Sequence, residues 1–223
     1  MTSIKENISR FEETLKPFNA KLVAVSKTKP VELIMEAYDA GFKRFGENKV
    51  QELSSKSETM PSDIEWHMIG HLQRNKVKYI APFVNLIHSV DSERLLREIN
   101  KQAAKADRTI PCLLQIHIAK ESTKFGLSES ELLEMLDSPS LRELKNVEIA
   151  GLMGMATFTE DESVIREEFR TLKNIIEKGK SFNDGSLLNL TELSMGMSND
   201  YRIALEEGST MIRVGSSIFG ARS

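Results

Sequence analysis

A single closed (β/α)8 barrel, the TIM-barrel class of α/β fold, with an additional N-terminal helix, is the architecture this sequence predicts. Three observations lead there. Eight short apolar runs alternate with amphipathic segments, as expected of parallel strands joined by right-handed helical crossovers. No linker rich in proline or glycine and no low-complexity tract divides the 223 residues, so residues 1–223 read as one domain. The competing architecture, a doubly wound open sheet, usually has fewer strands and a glycine-rich first turn, and the segment SKTKP after the first strand supplies no such turn.

The elements follow in order. Ser3 and Glu6 stand at capping-box spacing, and Ile4, Ile8, Phe11 and Leu15 then share one helical face, which makes residues 3–15 the extra helix. From Lys21 the run LVAV reads as the first strand and TKPVELIMEAYDAG as its helix, with Pro30 suited to a first turn and Gly41 to a helix end. The second unit is KRFGE then NKVQELSSK, the third EWHMIG then LQRNKVKYI, and the fourth VNLIHSV then DSERLLREINKQAAKA. IPCLLQIHI before SESELLEMLD and VEIAGLMGM before DESVIREEFRTLKNIIEK make the fifth and sixth. LTELSM before SNDYRIALEEG and TMIRV before a short helix at SSIFGAR complete eight.

Composition narrows the function. With 40% hydrophobic and 28% charged residues the chain is ordinary globular protein. Its apolar runs stop far short of a membrane helix, and the N-terminus offers no apolar signal core. Thirty basic against 33 acidic residues give a formal charge of −3 without a concentrated positive stripe, which argues against nucleic acid. The single cysteine, Cys112, lies in the apolar run PCLLQI and is expected to be a buried, unreactive thiol in a reducing, cytoplasmic compartment.

In a β/α-barrel, chemistry belongs to the C-terminal ends of the strands. Lys27 ends the run LVAVSK there. Its amine becomes a nucleophile only if desolvation or a nearby cation lowers its pKa, and position alone favours a solvated strand-end charge. Two small-residue turns, Gly196 to Ser198 and Gly215 to Ser217, each open a helix after the seventh and eighth strands, where barrels commonly hold phosphate. Ser198 offers a hydroxyl and Gly215 lets an anion approach the backbone, although N-capping and turn formation explain the same residues. Arg213 lies between Ile212 and Val214, so it faces away from both, into the barrel or into a structural ion pair. Asn48 is a ligand contact or an N-cap, since Gln51 follows at capping-box spacing. His67 and His71 stand four apart, but Gly70 interrupts the segment and the glutamate of HExxH is missing. Metal is therefore not expected; His67 reads as a satisfied barrel residue and His71 as a loop residue near the mouth. His88 and His117 end strands without a partner nucleophile.

Together LVAVSKTKP, RFGENKVQE, WHMIGHLQRNK, the Glu121-x-x-Lys124-x-Gly126 segment, LSMGMSNDY and IRVGSSIFGAR resemble the pyridoxal phosphate homeostasis protein family from about Lys21 to Arg222. That family is similar to the N-terminal barrel domain of alanine racemase. The resemblance implies pyridoxal 5′-phosphate held as a Schiff base, an internal aldimine, on Lys27. It also implies Ser198, Gly215 and Ser216 at the phosphate, Arg213 near the pyridine nitrogen, and Asn48 and Met195 beside the ring. His117 departs from the asparagine usual in relatives, and Ser216 keeps the hydroxyl of the threonine often found there.

Two functional classes follow from the resemblance: a non-catalytic carrier that buffers the aldehyde and delivers it to apo-enzymes, or an amino-acid racemase. In alanine racemase a tyrosine from a second domain of the partner subunit supplies the opposing base. Here Tyr38, Tyr79 and Tyr201 all fall in helix patterns, so the expectation is a monomeric carrier, cofactor-bound but without appreciable turnover. A barrel binding some other phosphorylated metabolite non-covalently is the third class.

Overall fold

A computed structural model describes residues 3–119 and 125–220. Eight parallel strands close into a barrel in sequence order: β1 (Lys21–Val25), β2 (Arg44–Glu47), β3 (Glu65–Met68), β4 (Leu86–Val90), β5 (Ile110–Gln115), β6 (Val147–Met153), β7 (Leu188–Ser194) and β8 (Met211–Val214). Closure comes from β1 pairing with both β2 and β8, with Lys21 to Ala24 alongside Met211 to Val214. The predicted fold class and strand order are those observed.

Around the barrel run α1 (Ile4–Leu15), α2 (Val31–Asp39), α3 (Val50–Thr59), α4 (Val77–Ile80), α5 (Glu93–Lys105), α6 (Glu129–Asp137), α7 (Glu162–Gly179), α8 (Tyr201–Glu206) and α9 (Ser216–Phe219). The capping box at α1 forms as its spacing predicts, Glu6 N–H donating to Ser3 Oγ and Ser3 N–H to Glu6 Oε2, and Ile4, Ile8, Phe11 and Leu15 are all buried. Asn48 is not an N-cap. Lys49 holds that position at α3, without a side-chain cap, so the Asn48 and Gln51 spacing builds no capping box. The third helix pattern, LQRNKVKYI, yields only a 3-10 turn at Arg74–Lys76 and the single turn α4. Among the described residues no helix is long and apolar enough to cross a membrane.

Alternation along each strand sorts the core into two layers. Ala24, Phe45, Met68, Ile87, Leu114, Ile212 and Val214 face the helices in one large cluster. Val23, Leu86, Leu113, Ala150, Met153 and Met211 form a second cluster inside the barrel. At Gly151 no side chain fits between two strands: a Cβ there would lie 1.8 Å from the Glu192 carbonyl oxygen, where the β6–β7 register also shifts. Cys112 is fully buried, and burial pushes its thiol well above the ordinary range, as expected of an unreactive cysteine.

Candidate functional site

The barrel mouth opens into a cavity of about 960 Å³, and Lys27, Asn48, Ser198, Arg213, Gly215 and Ser216 all line it. Residues on β8 and in the loops that follow β1, β2, β7 and β8, distant in sequence, therefore meet at one place. Met195, the seventh residue of the sequence-derived set, is fully buried and does not line the cavity, whereas Met197 does. His117 is half-buried two residues beyond β5, where its backbone N–H donates to Leu127; Gln115 is the cavity residue of that strand. Of the Glu121-x-x-Lys124-x-Gly126 segment, residues 121–124 lie outside the described residues.

Lys27 is half-buried at the second position of a turn closed by Lys29 N–H donating to the Ser26 carbonyl at 3.0 Å. Strand alternation carries past β1: Val25 and Lys27 line the cavity, while Ser26 points outward to Glu47 Oε1 at 2.6 Å. The amine thus rises from the barrel wall rather than from the outer helical layer.

Opposite lie the two small-residue turns. The hydroxyls of Ser198 and Ser216 stand 3.3 Å apart, and the first N–H groups of α9 have no intrahelical acceptor. A Cβ on Gly215 would sit 3.0 Å from the Val25 carbonyl oxygen and 3.2 Å from Val25 Cβ, so glycine lets β8 leave the barrel close against β1. The other turn is shaped by Asp200, whose Oδ1 accepts from Met197 N–H at 2.5 Å. Burial raises the Asp200 carboxyl, against the backbone hydrogen bond from Met197 and the charge of Arg213.

Arg213 points into the barrel, as alternation requires. It is buried, and donates to Ser194 Oγ at 2.5 Å and to the Gly154 carbonyl at 3.2 Å. Burial lowers its pKa to about 10, Asp200 pulling the other way, so it remains a cation at neutral pH.

Behind Arg213 the barrel interior carries a polar column that residue spacing did not expose. Ser194 Oγ lies 3.0 Å from His88 Nδ1, and His88 Nε2 lies 2.9 Å from His67 Nδ1. Burial holds both imidazoles neutral, lowering His67 to about 3 and His88 well below its ordinary value. Neutrality suits the contact, since the bond between the rings needs one donor and one acceptor. His67 is therefore a satisfied barrel residue, while His71 lines the mouth with its ring 3.5 Å from Asp91. The signal for the column was faint: His67 and His88 on strands and Ser194 at a strand end, each alternating with apolar neighbours. The rim was missed as well. Phe125, Met155, Phe158 and Met197 are exposed and line the cavity, but no motif joins them.

The donor set fits pyridoxal phosphate: a primary amine for an aldehyde, paired hydroxyls and helix-end N–H groups for a phosphate, and a fixed cation for a ring nitrogen. The comparisons agree. The family model described as the alanine racemase N-terminal domain matches residues 1–223. The pyridoxal phosphate homeostasis protein of Aquifex aeolicus is 41% identical over 205 residues, spanning 91% of this chain and 87% of that protein. PipY of Synechococcus elongatus, solved with pyridoxal phosphate bound, is 35% identical and superposes with a TM-score of 0.87 over 98% of this chain and all of PipY. Alanine racemase from Bartonella henselae, 15% identical, shares the fold alone, at a TM-score of 0.73, and the similarity spans 58% of the racemase. The chain belongs to the alanine racemase N-terminal domain family and, within it, to the pyridoxal phosphate homeostasis proteins.

Proposed function

We propose that this chain binds pyridoxal 5′-phosphate at the barrel mouth and acts in its homeostasis, as a carrier that holds the cofactor on Lys27 and releases it. One observation carries the reading: Lys27, the paired hydroxyls of Ser198 and Ser216, and Arg213 line one cavity. When bound, the cofactor supplies an aldehyde that a primary amine captures with loss of water. Ser198, Gly215 and Ser216 anchor the phosphate, which fixes how far the aldehyde reaches toward β1. Arg213, a cation at neutral pH, would donate toward the pyridine nitrogen and oppose its protonation, an arrangement that suits a carrier and a racemase alike. Asn48, a wall residue, would lie beside the ring, whereas Met195 is buried behind the cavity wall and would contribute only through packing.

The same geometry favours a carrier over an amino-acid racemase. None of the three tyrosines lines the cavity: Tyr38 donates to Asp63, Tyr79 is exposed on α4, and Tyr201 packs edge-on against Phe11. The opposing base that racemisation requires has no candidate among them. In this reading the partners are the cofactor and the apo-enzymes that receive it, and the protein works as a cytoplasmic monomer.

Borohydride treatment of the protein loaded with pyridoxal phosphate should fix one cofactor on Lys27, identified by peptide mass, and Lys27→Ala should abolish the fixation. A label on Lys29 or another lysine overturns the assignment. Loaded protein in deuterated buffer should leave the α-proton of free amino acids in place over hours. Exchange with loss of optical configuration at roughly 1 s⁻¹, within the usual range of enzymes, would instead establish the racemase.

A further inference from the structure

Beneath the Lys27 turn, the otherwise apolar layer between β2 and α3 holds a charged cluster. Glu47 is fully buried, Lys56 nearly so, and Lys56 Nζ bridges Glu47 Oε1 and Glu52 Oε1 at 2.7 Å each. Phe45, Leu53 and Val50, on the same elements, belong to the hydrophobic cluster around it. Such a cluster is a poor source of stability, because two carboxylates and an ammonium give up their hydration and apolar residues would pack as well. Glu47 Oε2 is buried with no hydrogen-bond partner at all. Burial raises the Glu47 carboxyl, in spite of Lys56 and Ser26.

What the cluster does is visible in where its bonds go. The cluster grips Ser26 twice, its hydroxyl donating to Glu47 Oε1 and its carbonyl accepting from Lys56 Nζ at 2.9 Å, while its N–H donates to the Gly46 carbonyl of β2. Thr28 N–H donates to Glu52 Oε1 at 2.7 Å. The two residues held are the immediate neighbours of Lys27. Thr28 also has φ +64°, the left-handed region that a β-branched residue avoids, so the turn keeps this shape only under outside restraint.

We propose that Glu47, Lys56 and Glu52 are positioning residues that set the direction of the Lys27 amine, so that capture of the aldehyde depends on a buried ion cluster that does not line the cavity. The inference rests on the reading of Lys27 as the attachment point. Loss of the cluster lets the turn relax and the amine swing away, while the phosphate turns on β7 and β8 stay as they are.

The test uses two ligands on the full chain. Pyridoxal phosphate reports covalent capture, by the rate of its absorbance change and by borohydride fixation. Pyridoxine 5′-phosphate, which has an alcohol in place of the aldehyde, reports the phosphate and ring contacts alone. The double variant Glu47→Gln/Lys56→Met removes both buried charges together. It should leave the unfolding temperature and the pyridoxine 5′-phosphate affinity near wild type and slow capture roughly 10- to 100-fold, the usual cost of misplacing a reacting group by about 1 Å. At half-buried Glu52, Glu52→Gln keeps an oxygen for Thr28 N–H and should retain most of the capture rate, whereas Glu52→Ala should lose it. Wild-type capture rates in the double variant and in Glu52→Ala overturn the proposal. A parallel fall of unfolding temperature and of affinity for both ligands overturns it too, since that is the mark of a structural role. Fixation of wild-type protein on a residue other than Lys27 refutes the underlying reading instead, and is seen in the same peptide maps.

Discussion

Gly70 touches Asn48 so closely that no side chain fits between them: a Cβ would lie 2.4 Å from the Asn48 carbonyl oxygen and 2.7 Å from its Cα. Both residues line the cavity. Gly70→Ala therefore has to move the backbone of Asn48 and should cost about 1–3 kcal/mol of stability, the range for overpacking a tight site. Because the displaced backbone is cavity wall, affinity for pyridoxal phosphate should fall as well, which equilibrium titration beside urea unfolding would show. Unchanged affinity would mean that Asn48 gives the ligand nothing. At this scale the sequence was legible where chain direction alone decides. Arg213 faces inward because Ile212 and Val214 face outward, and Lys27 reaches the mouth because it follows a strand of apolar residues. It was illegible where the partner comes from across the barrel. Nothing near His88 in sequence announces Ser194, 106 residues away, or His67, 21 residues before it. Met195 is buried while Met197 lines the cavity, and the motif that contains both could not separate them.

Helix α1 is the element outside the strand–helix repeat, and its contacts explain why it is there. Helix α9 is a single turn and is too short to cover its share of the barrel, so α1 packs against β1, α2 and α9 in its place. Asn7 Nδ2 donates to the Ile218 carbonyl at 3.0 Å, and Phe11 meets Tyr201 edge-on with ring centroids 5.2 Å apart. Both helices that begin at the serine turns, α8 and α9, thus lean on α1. Phe11→Ala should lose about 3–5 kcal/mol, the usual cost of truncating a buried aromatic residue. It should also weaken pyridoxal phosphate binding. Ile99→Ala, at a fully buried position of α5 on the far side of the barrel, should lower the urea midpoint without changing affinity in the folded range. Equal effects of the two variants on binding would show that α1 supports the barrel and not the serine turns in particular. The helix itself was legible, since a capping box and a four-residue apolar face are local signals. The brevity of α4 was not: the polar residues Arg74–Lys76 form a 3-10 turn and only Val77–Ile80 an α-helical turn, and the same spacing fits a longer helix.

For the molecule as a whole, the count of eight units gave the barrel, because each apolar run was followed by its own crossover and parallel strands in that order close on themselves. What the count left out is that the interior is not uniformly apolar. Below the mouth, Arg213, Ser194, His88 and His67 run as one hydrogen-bonded chain through a core otherwise filled by residues such as Val23, Leu113 and Met211. This chain ties fold stability to pH. In the unfolded protein each imidazole binds a proton near pH 6.5. In the folded protein burial keeps both neutral, His67 down to about pH 3 and His88 well below its ordinary value. Between those limits the unfolded state holds more protons, so stability is complete above pH 6.5 and falls as pH drops, by up to about 1.4 kcal/mol per pH unit for each histidine. Urea unfolding of the unliganded protein should accordingly lose about 3 kcal/mol between pH 6.5 and pH 5, before most carboxylates begin to protonate. His67→Asn/His88→Gln cannot take up these protons. Its stability should be lower at neutral pH and nearly flat across the same interval. A slope in the double variant as steep as in the wild type would place the titration elsewhere and show that the column is not held neutral. If the slope flattens, the cation at the mouth rests on two uncharged rings, which leaves Arg213 as the cationic end of the column.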